Sequence, residues 1–194
     1  PLALNENQQY VHYNKGSVVF YALRDAVGED TLNRILAQFL RDWGFKGPPY
    51  PTTRDFMAAL YAGTEEKHHP LIRDLFERIV FWDHRVTTAE VRKRDDGRYA
   101  VTLKVHADKL STDGKGKETQ EPVDVEVDIG VFARPDGGKE SDETVLYLQK
   151  HRITAADTTL ELVVDALPYE AGIDPYNKLI DRNSEDNRKK VTVL

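Results

Sequence analysis

The sequence predicts an α+β protein: an N-terminal antiparallel helical array followed by an antiparallel β-sandwich. Three observations support this. Up to about Phe81 the apolar residues recur at steps of three and four, after Trp82 they recur at every second position, and no helical pattern interrupts the alternating stretches. The change of period sets a boundary near Trp82-Asp83-His84, so residues 1–82 and 83–194 are expected to form separate domains.

Val18, Val19, Ala22, Leu23 and Ala26 share one face of a helix expected from Gly16 to Val27, and Gly28-Glu29-Asp30 ends it and caps the next. The second helix has the broadest apolar stripe, formed by Leu32, Ile35, Leu36, Phe39, Leu40 and Trp43. Gly44 to Pro51, centred on Gly47-Pro48-Pro49, cannot continue a helix and predicts an extended connector. Thr52 or Thr53 then caps a helix carrying Phe56, Met57 and Leu60. Pro70 opens a last one presenting Leu71, Leu75, Phe76 and Ile79. Short links between such helices favour an antiparallel array.

Beyond the boundary, Val86 to Arg94 reads as a strand, and Asp95-Asp96-Gly97 as the hairpin turn into Tyr99, Val101, Leu103, Val105 and Ala107. Lys109 to Gln120 is polar, holds two glycines, and is expected to be a mobile loop. Val123, Val125, Val127, Ile129 and Val131 alternate with polar residues that include Asp124, Glu126 and Asp128, which predicts one wet face. A loop at Arg134-Pro135-Asp136-Gly137-Gly138 precedes a strand from Val145 to Ile153. Leu160 to Val164 and Val191 to Val193 bring the total to about six or seven strands, the pattern of a sandwich.

Composition narrows the function. The net charge of −6 and the dispersed Lys and Arg residues argue against a nucleic-acid partner. The absence of cysteine excludes disulfides, thiolate metal ligands and a cysteine nucleophile, and leaves the compartment open. No apolar run approaches the roughly 20 residues that span a bilayer, and no signal-peptide pattern opens the chain, so a soluble segment with no direct membrane insertion is expected. The polar start, Asn5-Glu6-Asn7-Gln8-Gln9 after Pro1, reads like the middle of a longer polypeptide.

The run Tyr10-Val11-His12-Tyr13-Asn14-Lys15-Gly16 leads directly into the first helix. Just before a helix N-terminus, the Tyr13 phenol would sit beside a positive dipole end, a suitable place to meet a developing oxyanion. The plainer alternative is that Tyr10 and Tyr13 pack the start of the helix. Tyr13-Asn14-Lys15-Gly16 resembles the Tyr-x-Lys-Gly segment of zinc aminopeptidases of the aminopeptidase N-like (membrane alanyl aminopeptidase-like) family. The order behind it is similar too: an amphipathic helix, Gly28-Glu29-Asp30, a second helix ending near Trp43, a proline connector, and Thr52-Thr53-Arg54-Asp55-Phe56 opening a third. Ala171 to Asn183, with its Asp174-Pro175 turn initiator, resembles the closing segment of bacterial aminopeptidase-like proteins. Some of these carry the peptidase after an ABC-transporter permease-type region, which makes the expected parent membrane-associated.

The resemblance implies a zinc ion held by two histidines of a His-Glu-x-x-His helix and a downstream glutamate, with the motif glutamate as general base and Tyr13 stabilising the oxyanion. No His-Glu-x-x-His occurs among the 194 residues. The zinc ligands, the base and the amine-binding acids are therefore expected N-terminal to Pro1, in the remainder of the peptidase domain. Alone, this segment is expected to bind no metal or other cofactor and to hydrolyse no peptide.

Other candidate motifs are weaker. His68-His69 diverge on any regular backbone, and His12, His84, His106 and His151 lack ligand spacing, so all read as packing or solvated residues, with His12 the one that could share a cleft with Tyr13. Asp181-Arg182-Asn183-Ser184-Glu185-Asp186-Asn187 is oxygen-rich but lacks the calcium-loop glycine at its sixth position. Thr192 stands where the twelfth-position glutamate belongs, and the stretch reads as a solvated loop. Asp113-Gly114-Lys115-Gly116-Lys117 opens no helix, so it is no phosphate loop. A second function class stays open: a non-catalytic β-sandwich binding or interaction module of a degenerate peptidase-like protein.

Overall fold

Apolar residues at helical spacing produce α1 (Gly16–Val27), α2 (Glu29–Trp43), α3 (Thr53–Gly63) and α4 (His69–Phe76) in the computed structural model, which describes residues 1–134 and 142–194. With two mostly antiparallel sheets behind them, the chain is a mixed α+β protein. It divides into two compact units: residues 1–80 with 111–117, and residues 81–110 with 118–194.

In the first unit α1 touches α2 and α4, and α3 touches the same two helices. Gly28, at φ 86°, is both stop and start: its amide donates to Arg24 O at 2.9 Å and its carbonyl accepts from Leu32 N at 3.1 Å. Asp55 accepts at one oxygen from both the amide (2.7 Å) and the hydroxyl (2.8 Å) of Thr52, fixing the start of α3. The core joins Val19 and Leu23 of α1, Leu32 and Ile35 of α2, Met57 and Leu60 of α3, and Ile72, Leu75 and Phe76 of α4. Helices α2 and α3 approach so closely that a Cβ on Gly63 would lie 2.4 Å from Ile35 Cγ1. The broad stripe of α2 is only partly covered, with Leu32 and Ile35 buried and Leu40 68 % exposed. Ile79, expected as the last apolar residue of α4, instead begins a strand, because α4 ends at Phe76 with Glu77 N bonding Arg73 O.

The first sheet orders β3 (Glu118–Glu121), β2 (Tyr99–Thr112), β1 (Ile79–Lys93) and β9 (Thr192–Val193), with β6 (Asp157–Val164) also pairing β2. The second orders β5 (Thr144–Ile153), β4 (Val125–Ala133), β7 (Glu170–Ile173) and β8 (Arg188–Lys190). Pairing is antiparallel in the recorded ladders except β1 with β9, which runs parallel at Glu90↔Thr192 and Val91↔Val193. The hairpin turn at Asp95-Asp96-Gly97 forms as expected, with Gly97 at φ 84° and Arg94 N bonding Arg98 O at 2.8 Å.

Several sequence expectations need correction. The described residues hold nine strands, and β1 and β2 run 15 and 14 residues, because β1 begins at Ile79, ahead of the expected boundary, and β2 continues through Asp108 to Thr112. The expected loop from Lys109 to Gln120 shrinks to a turn at Asp113–Lys117, where Asp113 accepts from the amides of Lys115 and Lys117 between β2 and β3. The turn expected at Pro135-Asp136-Gly137-Gly138 lies outside the described residues. The wet face of β4 survives at Glu126 only. Asp128, Gly130 and Phe132 are buried, since Pro175 reaches Gly130 while Tyr176 and Arg188 stack on Phe132.

The tail begins in a strand and turns at the Asp174-Pro175 initiator. Ala171 to Ile173 belongs to β7, and Asp174 at φ 43° turns the chain, with Asn177 N bonding its carbonyl at 2.9 Å. The buried Asp174 carboxylate then accepts from Lys178 N (3.0 Å) and Leu179 N (2.9 Å), while Asp128 takes the ammonium groups of Lys178 (2.5 Å) and Lys150 (3.2 Å).

Candidate functional site

Residues Tyr10–Lys15 form a six-residue π-helix that runs without a break into α1. Gln9, Lys15 and Gly16 are all right-handed helical, so Tyr13 stands one turn inside a continuous helix. This corrects the expectation that Tyr13 precedes a helix N-terminus: the positive dipole end lies nearer Gln9. Tyr13 is 67 % exposed and Tyr10 69 %, so neither packs the start of the helix. Wide π-turns redirect side chains that an α-helix would hold over the preceding turn, and they recur at functional sites.

Tyr13 and His12 lie with ring centroids 4.6 Å apart, and Asn5 Nδ2 comes within 3.3 Å of His12 Nδ1. Both rings border an open cavity of about 440 Å³, with Ser17 beside them and Phe20, Phe56 and Phe76 as its aromatic lining. Those phenylalanines pack mutually, Phe20 to Phe76 edge-on at 5.7 Å and Phe56 to Phe20 at 6.1 Å, so the lining is fixed by the core of the unit. His12 thus joins Tyr13 at one rim, as the sequence suggested. Lys15 points elsewhere: its ammonium donates to Arg78 O at 3.5 Å, and partial burial lowers its pKa. Gly16 is buried, yet a Cβ there would meet only ordinary contacts, Val11 O at 3.8 Å and Leu2 Cδ1 at 3.9 Å.

The remaining histidines take up separate positions. His69 packs on Tyr61 and bonds its carbonyl at 3.1 Å, while His151 bonds the Tyr147 hydroxyl at 2.6 Å. His106 lies between Asp157 and Asp108. His84 is fully buried in the inward row of β1, between Trp82 and Val86, and stacks on Trp82 at 5.2 Å. Burial depresses its pKa to about 4, so the ring is neutral. Asp181 Oδ2 accepts the His84 backbone amide at 2.9 Å and lies 3.5 Å from His84 Nδ1. The neutral ring makes no ion pair with it, and its Nδ1 has no hydrogen-bond partner among the described residues. The stretch Asp181–Asn187 is therefore not simply a solvated loop, since Asp181 is inward and Asn187 fully buried.

Strict alternation back from Val86 through His84 to Trp82 marks His84 as an inward residue; starting the strand at Val86 hides it. No comparable signal identifies Asp181, which meets His84 across 97 positions of sequence.

Among the described residues no group of three or more His, Cys, Asp or Glu side chains is placed to hold a metal ion. No described helix is long and apolar enough to cross a membrane. No family model matches this chain, and no curated protein matches it. What the Tyr13 rim can do chemically follows from its own groups: an exposed phenol donor, next to an imidazole, over an apolar recess.

Proposed function

We propose that this chain is the C-terminal region of a zinc-dependent metallo-aminopeptidase-like protein that hydrolyses peptide bonds. Residues 1–82 would be the helical end of its catalytic domain, an antiparallel array, and residues 83–194 a β-sandwich. The observation that carries the reading is Tyr13. The one residue to which the Tyr-x-Lys-Gly resemblance assigns chemistry stands exposed on a π-turn, at the rim of an aromatic recess, with its hydroxyl available to donate. In this role the phenol O–H donates to the oxygen of a peptide carbonyl as that oxygen gains negative charge. Inward-facing rows in both sheets, such as Val101, Leu103, Val105 and Val127, Ile129, Val131, support the sandwich. The zinc-binding residues and the general base would come from polypeptide N-terminal to Pro1, and the parent would carry the permease-type membrane region that the Ala171–Asn183 resemblance implies.

The test is the polypeptide upstream of Pro1 and its product. A His-Glu-x-x-His helix with a following glutamate, zinc bound in the intact protein, and aminopeptidase turnover that collapses in Tyr13→Phe would together bear the reading out. An upstream sequence without those ligands would remove it.

A second reading has its own observation. Leu40 (68 %), Phe45 (113 %) and Tyr50 (71 %) are exposed apolar side chains along the end of α2 and the proline connector, and apolar exposure supports a binding role. It fits a non-catalytic binding module of a degenerate peptidase-like protein, and the same upstream sequence separates the two readings.

A further inference from the structure

We propose that His106 is a proton-operated clasp at the crossover between the two sheets: its imidazolium bridges Asp108 and Asp157 and pins the start of β6 to β2, and loss of the proton releases that end of β6.

The geometry requires two donors on the ring. Nδ1 lies 2.7 Å from Asp157 Oδ1 and Nε2 3.0 Å from Asp108 Oδ2. A carboxylate only accepts, and a neutral imidazole has one N–H, so the neutral ring would aim a lone pair at one of these oxygens. Only the doubly protonated ring satisfies both contacts.

Position makes the bridge a clasp. His106 and Asp157 are the last register pair of the β2–β6 ladder, and Ala107 N donates to Ala156 O at 2.8 Å just beyond it. Residues 154–156 carry the chain from the end of β5 in one sheet to the start of β6 in the other. Fraying of β6 therefore begins at this pair. The two arms are unequal. The Asp108 side chain is 22 % exposed and is held at its other oxygen by Gln120 Nε2 from β3 at 2.7 Å, whereas that of Asp157 is 85 % exposed. Asp108 is the fixed arm, and Asp157 is the one that lets go.

The charges facing the ring are these two carboxylates and, from β1, the Arg85 guanidinium, which Asp83 holds at 3.1 Å. The hydrogen bond to Asp157 raises the His106 pKa above its ordinary value, partial burial opposes it, Asp108 adds to the rise, and Arg85 opposes again. Because the native value is the higher one, the stabilisation is complete below the ordinary histidine pKa of about 6.5 and is lost as pH climbs through the raised value. The clasp closes in acid and opens in base.

The experiment is an NMR titration of the His106 ring combined with amide exchange across β6, corrected for the intrinsic pH dependence of exchange. The ring should titrate above an unstructured histidine, and the value should fall in both Asp157→Asn and Asp108→Asn. Corrected protection of the Thr158 and Leu160 amides, which face β2 in this register, should drop by roughly two- to five-fold through that titration, the scale of a partly exposed ion pair, and should stay flat with pH in His106→Gln. Asp157→Asn, a surface change, supplies the same comparison if His106→Gln does not fold. A ring that titrates at or below the ordinary value, or β6 protection that ignores the titration, would overturn the clasp.

Discussion

Asp181 Oδ2 accepts the backbone amide of His84 at 2.9 Å and lies 3.5 Å from the ring Nδ1 of the same residue, so the carboxylate bonds the backbone of a fully buried histidine without hydrogen-bonding its ring. The contact anchors the tail to β1. On either side of it Trp82 N donates to Ile180 O and Arg182 N to Trp82 O, both at 2.8 Å. Neither ring nitrogen of His84 has a hydrogen-bond partner within reach among the described residues, so the ring relies on remaining neutral.

Acid should therefore weaken the fold through His84. Its native pKa is depressed to about 4, so the unfolded chain takes up a proton below about pH 6.5 while the native ring does not. Stability falls as pH drops between those values, by up to about 3 kcal/mol, and the loss is complete below the native pKa. Asp181 works in the opposite sense, because burial raises its carboxyl and the native state then gains as pH falls through that raised value towards the ordinary one. Urea denaturation from pH 7 to 4 should show a steeper loss in the wild type than in His84→Leu. Parallel curves would contradict the assignment.

Removing the Asp181 carboxylate itself should cost more than a surface contact. Asp181→Ala leaves the His84 amide and the Asn183 amide, which donates at 2.8 Å, without their acceptor. A loss of about 1–3 kcal/mol is expected by denaturant melts, with faster exchange at the His84 amide in particular. A change confined to the exposed residues after Arg182 would count against the anchoring role.

Tyr13→Phe should leave the stability of this chain unaltered, because the residue is 67 % exposed and no hydrogen bond among the described residues uses its hydroxyl. Under the proposed function, the same change in the intact protein should lower turnover by roughly a hundred- to a thousand-fold with zinc content unchanged. Normal turnover in that variant would exclude Tyr13 from the chemistry.

Gly63→Ala ought to destabilise the helical unit even though alanine is the better helix former by about 1 kcal/mol. The added Cβ would lie 2.4 Å from Ile35 Cγ1 and 2.7 Å from Cδ1, so α2 and α3 must separate or Ile35 must leave its rotamer, a cost of about 1–3 kcal/mol. Thermal melts of Gly63→Ala, Ile35→Ala and the double variant should show coupling, with the second change costing less in the presence of the first. Simple additivity would show that the helices yield without strain.

The four helices were legible because each carries its own period and punctuation: Gly28 between α1 and α2, the Thr52–Asp55 pair before α3, Pro70 in the first turn of α4. The sheets were legible only where one face stays wet. Asp128 shows the difference, since its alternation marks it as outward while Lys178 and residues 175–188 bury that side of β4. Of the candidate site, Tyr13 and His12 were read from a local motif. The π-turn that exposes them was not, because an i→i+5 hydrogen-bond pattern leaves no periodic signature in so short a run.

By itself, then, the sequence determined the elements whose causes are local: helix period, caps, the Asp95-Asp96-Gly97 turn, and the lack of any cysteine or His-Glu-x-x-His ligand set in these residues. Which polar residues meet was left to the folded chain. His84 and Asp181 stand 97 positions apart, and His106 and Asp157 51, so their meeting depends on strand register and on the path of the tail. Sequence spacing does not encode which distant partners the folded chain brings within reach of a polar group.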